Sequence, residues 1–304
     1  MNEPDTRGVR PARSQRPPRL DRIERAHLRD PADASHAMYR YPVPEEFAGL
    51  LTRFWIPVWS VPPGREAPQR VLQYPVCLLV VAPDYARFYG VVSGLSTTTL
   101  TGDGWAVGLM CAPAGGALIS RRPVDAFTDR YVDLSEVLGE PGLELAARVR
   151  ELMAPDPSDP AAHAAAMAAV CDALRFALPV DDEGRLVNRI VEAVESDPDM
   201  LRVGQICDAF GLSERALQRL LQRRLGLRPK WLVQRRRLHE AAERLRDERA
   251  DLSEVATALG YADQAHFGRD FARVTGMTPG AFAAQQTQRT AQTQRTARTE
   301  RRSR

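Results

Sequence analysis

One pattern of residues occurs twice near the C-terminal end, and it constrains the fold more than any other feature. The stretches "SERALQRLLQRRLG" and "DQAHFGRDFARVTG" start at Ser213 and Asp263, and their key positions align at a constant offset of 50 residues. A shorter apolar stretch ending at Gly211 or Gly260 precedes each one, at an offset of 49. An extra residue confined to the turn, with both flanking segments kept, predicts a duplicated helix–turn–helix unit.

Each copy carries local signals for where its helices begin and end. A glycine after the first helix suits a left-handed backbone, and a Ser or Asp can cap the second helix. A glycine followed by a proline then ends that helix. In chain order these residues are Gly211, Ser213, Gly226 and Pro229 in the first copy, and Gly260, Asp263, Gly276 and Pro279 in the second.

The second helix of each copy is predicted to have one apolar and one polar face. The apolar faces consist of Leu217, Leu220, Leu221 and Leu225 in the first copy and of Phe267, Phe271 and Val274 in the second. Arginine, glutamine and histidine side chains lie on the other sides. Arginine can bridge O6 and N7 of guanine, and glutamine can bridge N6 and N7 of adenine. A face of this kind that recurs in register inside a helix–turn–helix predicts DNA binding.

The region from Leu186 to Phe282 resembles the AraC/XylS family of transcriptional regulators. The matching motifs are "GLSERALQRLLQRRLGLRPKWL", "RRRLHEAAERLR" and "VATALGYADQAHFGRDFARVTGMTPGAF". The resemblance implies two helix–turn–helix units held on a linker helix at about Pro229–Arg246, with two recognition helices entering successive major-groove segments. It assigns base contacts to Arg215, Gln218, Arg219, Gln264, His266 and Arg269, and phosphate contacts to Arg223, Arg224, Lys230 and Arg273. Arg219 and Arg269 could instead pair with phosphates or with acids of the domain.

The N-terminal half is predicted to be rich in β-strands. Short β-branched and aromatic runs such as "LLTRFWIPVWSV", "ARFYGVVSG" and "GALISRRP" alternate with glycine and proline. This half resembles the cupin-like (DUF6597-type) domain that precedes some AraC-type DNA-binding domains, which implies ligand sensing, dimerisation or both. The expected architecture is α+β and multidomain. It comprises a disordered Arg/Pro-rich extension (1–40), a β-rich domain with C-terminal helices (41–180), an all-α double helix–turn–helix domain (185–284) and a disordered basic tail (285–304).

Net charge, hydropathy and cysteine spacing argue against several other classes of protein. A net charge of +3 is too small for a general polycation, and no apolar run is long enough to cross a membrane. The four cysteines form no C-x-x-C pair, which predicts reduced thiols in a cytoplasmic, nucleoid-associated protein. Double-stranded DNA is the expected partner, with RNA polymerase, a small-molecule effector and a second copy of the chain as further possible partners. No cofactor, metal or catalytic residue is predicted.

Alternatives to a regulator remain open at this point. A metal-dependent cupin enzyme fused to a DNA-binding module would need histidines, and none of the five lies between Tyr41 and Asp133. A DNA-repair methyltransferase would need clustered cysteines. A redox sensor would need two thiols that are close in space. Finally, the β-rich half could hold a small-molecule pocket lined by some of its aromatic residues, namely Trp55, Trp59, Tyr74, Phe88, Tyr89 and Trp105.

Overall fold

The computed structural model describes residues 35–72, 74–245 and 250–284. The predicted terminal extension up to residue 34, a predicted short helix near Leu20–Leu28 and the basic tail from residue 285 lie outside the described residues. None of the helices within the described ranges combines the length and the apolarity needed to span a bilayer.

The N-terminal half is built on a twisted antiparallel sheet. The described residues of this half contain nine strands: β1 (His36–Pro42), β2 (Leu51–Val61), β3 (Ala67–Leu72), β4 (Leu78–Val81), β5 (Ala86–Tyr89), β6 (Leu95–Leu100), β7 (Gly102–Trp105), β8 (Val107–Cys111) and β9 (Tyr131–Asp133). The main sheet has the order β1-β2-β8-β4-β5-β9, and β7 also pairs with β2. Strands β3 and β6 form a separate two-stranded sheet. Strand β1 starts before the predicted domain boundary at residue 41.

The two faces of the main sheet differ because successive side chains of a strand point to opposite sides. Phe54 and Ile56 of β2 and Leu79 of β4 are fully buried in the main core. The alternate residues, including Trp55 of β2 and Leu78 of β4, line a cavity on the other face. The β3–β6 pair contributes Gln69, Ser96 and Thr98 to that cavity, so it covers this second face.

Ten helices follow or interrupt the strands in the described part of the chain. They are α1 (Gly115–Ser120), α2 (Leu134–Leu138), α3 (Glu140–Met153), α4 (Pro160–Leu174), α5 (Asp182–Ser196), α6 (Val203–Phe210), α7 (Glu214–Leu225), α8 (Pro229–Arg244), α9 (Leu252–Ala258) and α10 (Gln264–Thr275). Short 3₁₀ turns occupy Glu45–Phe47, Val124–Phe127 and Arg175–Ala177.

Helix α1 corrects one strand prediction, because "GALISRRP" was expected to be extended. A Cβ atom on Gly115 would lie 2.3 Å from the carbonyl oxygen of Leu50, and one on Gly116 would lie 2.4 Å from Sγ of Cys77. The two glycines therefore allow a helical turn to pack directly on the sheet. Two glycines followed by three apolar residues do not reveal this packing.

The C-terminal half has two helix–turn–helix units joined by a linker helix, as predicted. Helices α6 and α7 form the first unit, α8 is the linker helix, and α9 and α10 form the second unit. Gly211 and Gly260 adopt left-handed backbones with φ of 64° and 72°. The Ser213 hydroxyl accepts a hydrogen bond from the amide of Ala216, and the Asp263 carboxylate accepts one from the amide of His266.

The apolar side chains fall into two main cores that do not follow the predicted domain boundary. One core runs from the β-sheet through α5 to Leu217, Leu221 and Val233, so it includes the first helix–turn–helix unit. The second core runs from Leu238 to Phe282 and serves the second unit. The linker helix contributes to both.

Several contacts fasten the β-rich half to the first unit and the linker helix. The Thr128 hydroxyl donates to the carbonyl of Gly226 at 2.9 Å, and the Trp231 indole donates to the carbonyl of Ser93 at 3.0 Å. On α5, the Asn188 amide donates to the carbonyl of Gly49 at 2.7 Å, and its oxygen accepts from the amide of Ala114. The C-terminal end of α7 is therefore held by the β-rich half.

Candidate functional site

The three predicted base-contacting residues of the first unit are all exposed on α7. Leu217, Leu220 and Leu221 of the same helix are buried, so the helix has the apolar and polar faces that the sequence predicted. Arg215, Gln218 and Arg219 lie on the exposed side. The side chains available to a DNA groove are thus two guanidinium groups and one amide within two helical turns.

The second unit presents the same arrangement on α10. Phe267 and Phe271 are fully buried, whereas Gln264, His266 and Arg269 are exposed. His266 packs edge-on against Tyr261, with ring centroids 5.3 Å apart, and its Nε2 lies 3.8 Å from a carboxylate oxygen of Asp270. These contacts restrain the imidazole, which stays exposed in the first turn of α10.

The predicted phosphate-contacting residues have different environments. Lys230 is exposed at the start of the linker helix. Arg273 is 67% exposed and pairs with Asp270 at 3.0 Å. Arg224 is only 14% exposed and pairs with Glu183 at 2.9 Å and with Asp181. Arg223 also pairs with Glu183.

These pairs change the expectation for Arg223 and Arg224. Their carboxylate partners, Asp181 and Glu183, lie at the start of α5, so the pairs tie α7 to α5. The Nε and Nη2 groups of Arg224 donate to these two carboxylates in this structure, so they are not presented to a DNA phosphate. The sequence offered no sign of this, because the acids lie about forty positions upstream of the arginines.

The carboxylates of this cluster have lowered pKa values. The pKa of Glu183 is lowered mainly by its hydrogen bond from Arg224. Burial alone would raise the pKa of Asp181, but hydrogen bonds from Arg224 and from the amide of Gly184 outweigh it and lower that pKa. A carboxyl whose pKa is lowered by folding stabilises the folded state above its ordinary pKa, and the contribution is lost as the pH falls.

We therefore expect acid to weaken the attachment of α7 to α5. Stability should fall as the pH drops below the ordinary values of 4.5 for Glu183 and 3.8 for Asp181. Glu183→Gln should remove part of that pH dependence, at a cost below about 1 kcal/mol because the Glu183 side chain is about half-exposed and Arg224 keeps its pair with Asp181. Urea unfolding between pH 3 and pH 7 measures the loss of stability in acid for the wild type and for Glu183→Gln. Glu151→Gln, which breaks an exposed pair with Arg148, is the control, and an equal effect there would contradict the assignment.

The linker helix buries two of its three consecutive arginines. Arg235 is 1% exposed and Arg236 is 5% exposed, and burial lowers the pKa of Arg235 to about 10. The Arg235 guanidinium lies 5.7 Å from the ring centroid of Trp231, and Arg236 donates to the carbonyl of Pro198 at 2.9 Å. Arg237 donates to the carbonyl of Leu201. Arg236 and Arg237 therefore fix the linker helix to the segment between α5 and α6, and Arg235 packs along its own helix.

The β-rich half contains a cavity of about 200 Å³. Of the aromatic residues predicted as candidates, Trp55, Trp59, Tyr74 and Tyr89 line it. The candidates Phe88 and Trp105 do not, because both are buried in the main core. Sequence reasoning missed His36, Arg40 and Arg53, which also line the cavity. The alternation along β1 and β2 could have indicated them once the two strands were known to pair.

Two of the cysteines are neighbours, which the sequence did not indicate. Strands β4 and β8 are antiparallel, and the amide of Cys111 donates to the carbonyl of Cys77 at 3.1 Å. Both thiols are free and buried. Burial raises the pKa of Cys111 to about 12 and that of Cys77 well above its ordinary value. Because oxidation proceeds through the thiolate, this environment disfavours a redox switch at the pair.

Two capped helix–turn–helix units on one linker helix define a double helix–turn–helix DNA-binding domain. In agreement, a family described as "Helix-turn-helix domain" matches residues 206–285, and one described as "Domain of unknown function (DUF6597)" matches residues 39–133. Part of the helical half, residues 206–285, therefore matches a helix–turn–helix domain, and part of the β-rich half, residues 39–133, matches DUF6597.

Curated relatives match a part of the chain. The "HTH-type transcriptional activator RhaS" of Pectobacterium carotovorum is 31% identical over 86 residues, which are 28% of this chain and 31% of that protein. RhaS of Escherichia coli O1:K1 is 35% identical over 74 residues, which are 24% of this chain and 27% of that protein. The chain thus spans under a third of the length of these relatives.

A solved structure of an AraC-type transcriptional regulator from Chromobacterium violaceum is also similar. It is 26% identical, covers 33% of this chain and 89% of its own, and has a TM-score of 0.30.

Proposed function

We propose that this protein is a sequence-specific DNA-binding transcriptional regulator. In this proposal, α7 and α10 enter successive major-groove segments on one face of the duplex. The observation that carries it is that two helices of one type are each buried on their apolar face and exposed on a face of arginine, glutamine and histidine. The relatives named as transcriptional activators favour activation, in which the protein would contact RNA polymerase.

The β-rich half would modulate DNA binding and would not catalyse a reaction. The same core runs through the sheet and the first unit, so a change on the β side can alter how α7 is presented. A ligand in the cavity or a second copy of the chain could supply that change. The protein would act in the cytoplasm.

Mapping of genomic fragments bound by the purified full-length protein tests the proposal. We expect a shared motif with two half-sites about ten base pairs apart, which is the spacing of successive major-groove segments. Binding of fragments without a common motif, or of a motif with one half-site, would contradict the two-helix arrangement.

Substitutions on α7 test the assignment of base contacts. Arg215→Ala and Gln218→Ala should each cost about 1–3 kcal/mol of binding free energy at particular bases of the site. Fluorescence anisotropy with a set of single-base operator variants measures these losses.

Lys230→Ala is the matched substitution for a phosphate contact. It should weaken binding to every sequence alike and reduce the slope of log K against log salt by about one. Arg224 is unsuitable for this purpose because its loss also breaks the pairs with Asp181 and Glu183. Equal losses on all sequences from Arg215→Ala, Gln218→Ala and Lys230→Ala would show that the base-contacting residues are wrongly assigned.

A further inference from the structure

The two helix–turn–helix units contact each other beside the linker helix. Leu201 lies in the segment between α5 and α6, and its amide donates to the Gln205 side chain of α6 at 3.0 Å. Gly260 lies in the turn between α9 and α10. A Cβ atom on Gly260 would lie 3.3 Å from Cδ1 of Leu201 and 3.8 Å from Nη2 of Arg237. The turn of the second unit therefore packs against the entry to the first unit, and Arg237 of the linker helix lies at the same point.

Arg237 bridges the two units at this contact. Its Nη2 donates a hydrogen bond to the main-chain carbonyl of Leu201, on the side of the first unit. Its guanidinium carbon lies 5.5 Å from the ring centroid of Tyr261, in the turn of the second unit. A guanidinium group over an aromatic ring at less than about 6 Å is attracted to the face of that ring. One side chain of the connecting helix thus binds both units.

Tyr261 connects the bridge to the second recognition helix. Its side chain is buried, and its hydroxyl has no hydrogen-bond partner among the described residues, so contacts of the ring determine its orientation. The ring centroid lies 5.3 Å from the centroids of His266 and Phe267, which are both in the first turn of α10. A shift of the Tyr261 ring would therefore move the end of α10 that carries the predicted base contacts.

A second polar contact attaches α10 to the linker helix farther along. The Gln234 side-chain amide donates to the Asp270 carboxylate at 3.3 Å, and Arg273 donates to the same carboxylate at 3.0 Å. These residues belong to the linker helix and the second unit. The contact at Arg237 differs from this one because it also includes Leu201 of the first unit.

From these contacts we propose that Arg237 is a positioning residue that sets the half-site spacing accepted by the protein. Successive major-groove segments on one face of the duplex are about 10–10.5 base pairs apart, so each added base pair rotates one half-site by about 35° relative to the other. A fixed orientation of α10 relative to α7 therefore selects one spacing. Without the bridge, the second unit keeps its own core and the Gln234 contact, but its orientation relative to the first unit is less restricted. The inference rests on the proposed function, in which both helices bind DNA.

Selection from random DNA by the full-length protein tests the proposal. The probe is a library of duplexes with about thirty random base pairs, roughly three helical turns. The wild type is compared with Arg237→Met, which keeps an apolar stem and loses the hydrogen-bond donors. Bound duplexes are sequenced, and the separation of the two enriched half-motifs is counted. We expect one dominant separation for the wild type. In Arg237→Met, the fraction one base pair away from it should rise by about two- to fivefold, the factor that corresponds to one cation–π contact.

Variants on the other side of the bridge repeat the test. Tyr261→Leu removes the ring and should broaden the distribution of separations as Arg237→Met does. Tyr261→Phe keeps the ring and loses only the unpartnered hydroxyl, so it should resemble the wild type. Arg237→Lys restores a donor and a positive charge and should narrow the distribution again. Arg244→Met, which breaks a partly exposed pair with Glu240 on the same helix, is the matched control and should leave the distribution unchanged.

The distribution of separations distinguishes positioning from stability. Thermal unfolding shows which variants are folded, and a folded variant that has only lost stability would bind all separations less tightly with the same distribution. Unchanged distributions in Arg237→Met and Tyr261→Leu, or equal broadening in Arg244→Met, would overturn the positioning role and leave the proposed function standing. A wild type that enriches a single half-motif, or none, would contradict the proposed function and the inference together.

Discussion

Phe271→Ala should unfold the second helix–turn–helix unit while the first unit and the β-rich half stay folded. Phe271 is fully buried, and its ring lies 5.6 Å from that of Phe267 and 5.5 Å from that of Phe282. Truncation of a buried phenylalanine costs about 3–5 kcal/mol. The core that contains it is small and separate from the main core, so this loss is a large share of its stability.

Hydrogen–deuterium exchange measures the expected result. Amides of α9 and α10 should exchange quickly in Phe271→Ala, whereas those of α5 and α7 should keep their protection. Leu221→Ala is the matched control, because Leu221 belongs to the main core and its loss should expose α7 and parts of the sheet together. Phe271→Ala should bind DNA through α7 alone, because its second helix–turn–helix unit is unfolded. A uniform rise in exchange throughout Phe271→Ala would show that the two cores unfold as one.

Gly90→Ala should destabilise the protein by about 3 kcal/mol or more, a large effect for one methyl group. A Cβ atom there would lie 1.9 Å from the carbonyl oxygen of Phe127, which is backbone and cannot rotate away. The insertion of a group into a packed site usually costs about 1–3 kcal/mol, and contact with backbone raises the cost. The displaced turn, Val124–Phe127, is next to the residue that binds Gly226 at the end of α7.

The expected consequence therefore reaches beyond the β-rich half. Gly90→Ala should lower the melting temperature and also loosen the end of α7, which exchange of the amides at residues 225–227 would report. Gly94→Ala, four residues along the same segment, meets nothing within 4 Å and should behave like the wild type. Similar melting temperatures for the two variants would contradict the close approach at Gly90.

The helix–turn–helix units were predictable because their signals are local. Caps, glycines with positive φ and alternating faces are all encoded within about fifteen residues, and the structure has them at Gly211, Ser213 and Gly260. The predicted base-contacting residues follow from the same periodicity, and their roles stay predictions until DNA binding is measured. In contrast, α1 was predicted as a strand because its helical form depends on packing against Leu50 and Cys77.

The less predictable features depend on residues that are distant in the sequence. The pairs of Arg224 with Asp181 and Glu183 could not be predicted, because these acids lie about forty positions upstream, at the start of another helix. The position of Arg53 beside Arg40 could not be predicted, because only the pairing of β1 with β2 brings the two residues together. The neighbouring thiols Cys77 and Cys111 likewise depend on the register of β4 and β8. Such features can be predicted only when it is known which helices and strands are neighbours in the fold, and local sequence patterns do not specify this.

The shared core also determines how this chain can be divided for protein engineering. A fragment that starts at the expected boundary, residue 185, would begin inside α5 (Asp182–Ser196) and lack the cap from Asp181. It would also expose Leu225 and Leu227, which are buried in the same core as Val124 and Phe127. A hybrid protein that joins these recognition helices to a foreign sensor domain therefore needs a substitute for the turn Val124–Phe127, which covers the two leucines. Without it, we expect the hybrid to aggregate through the exposed leucines.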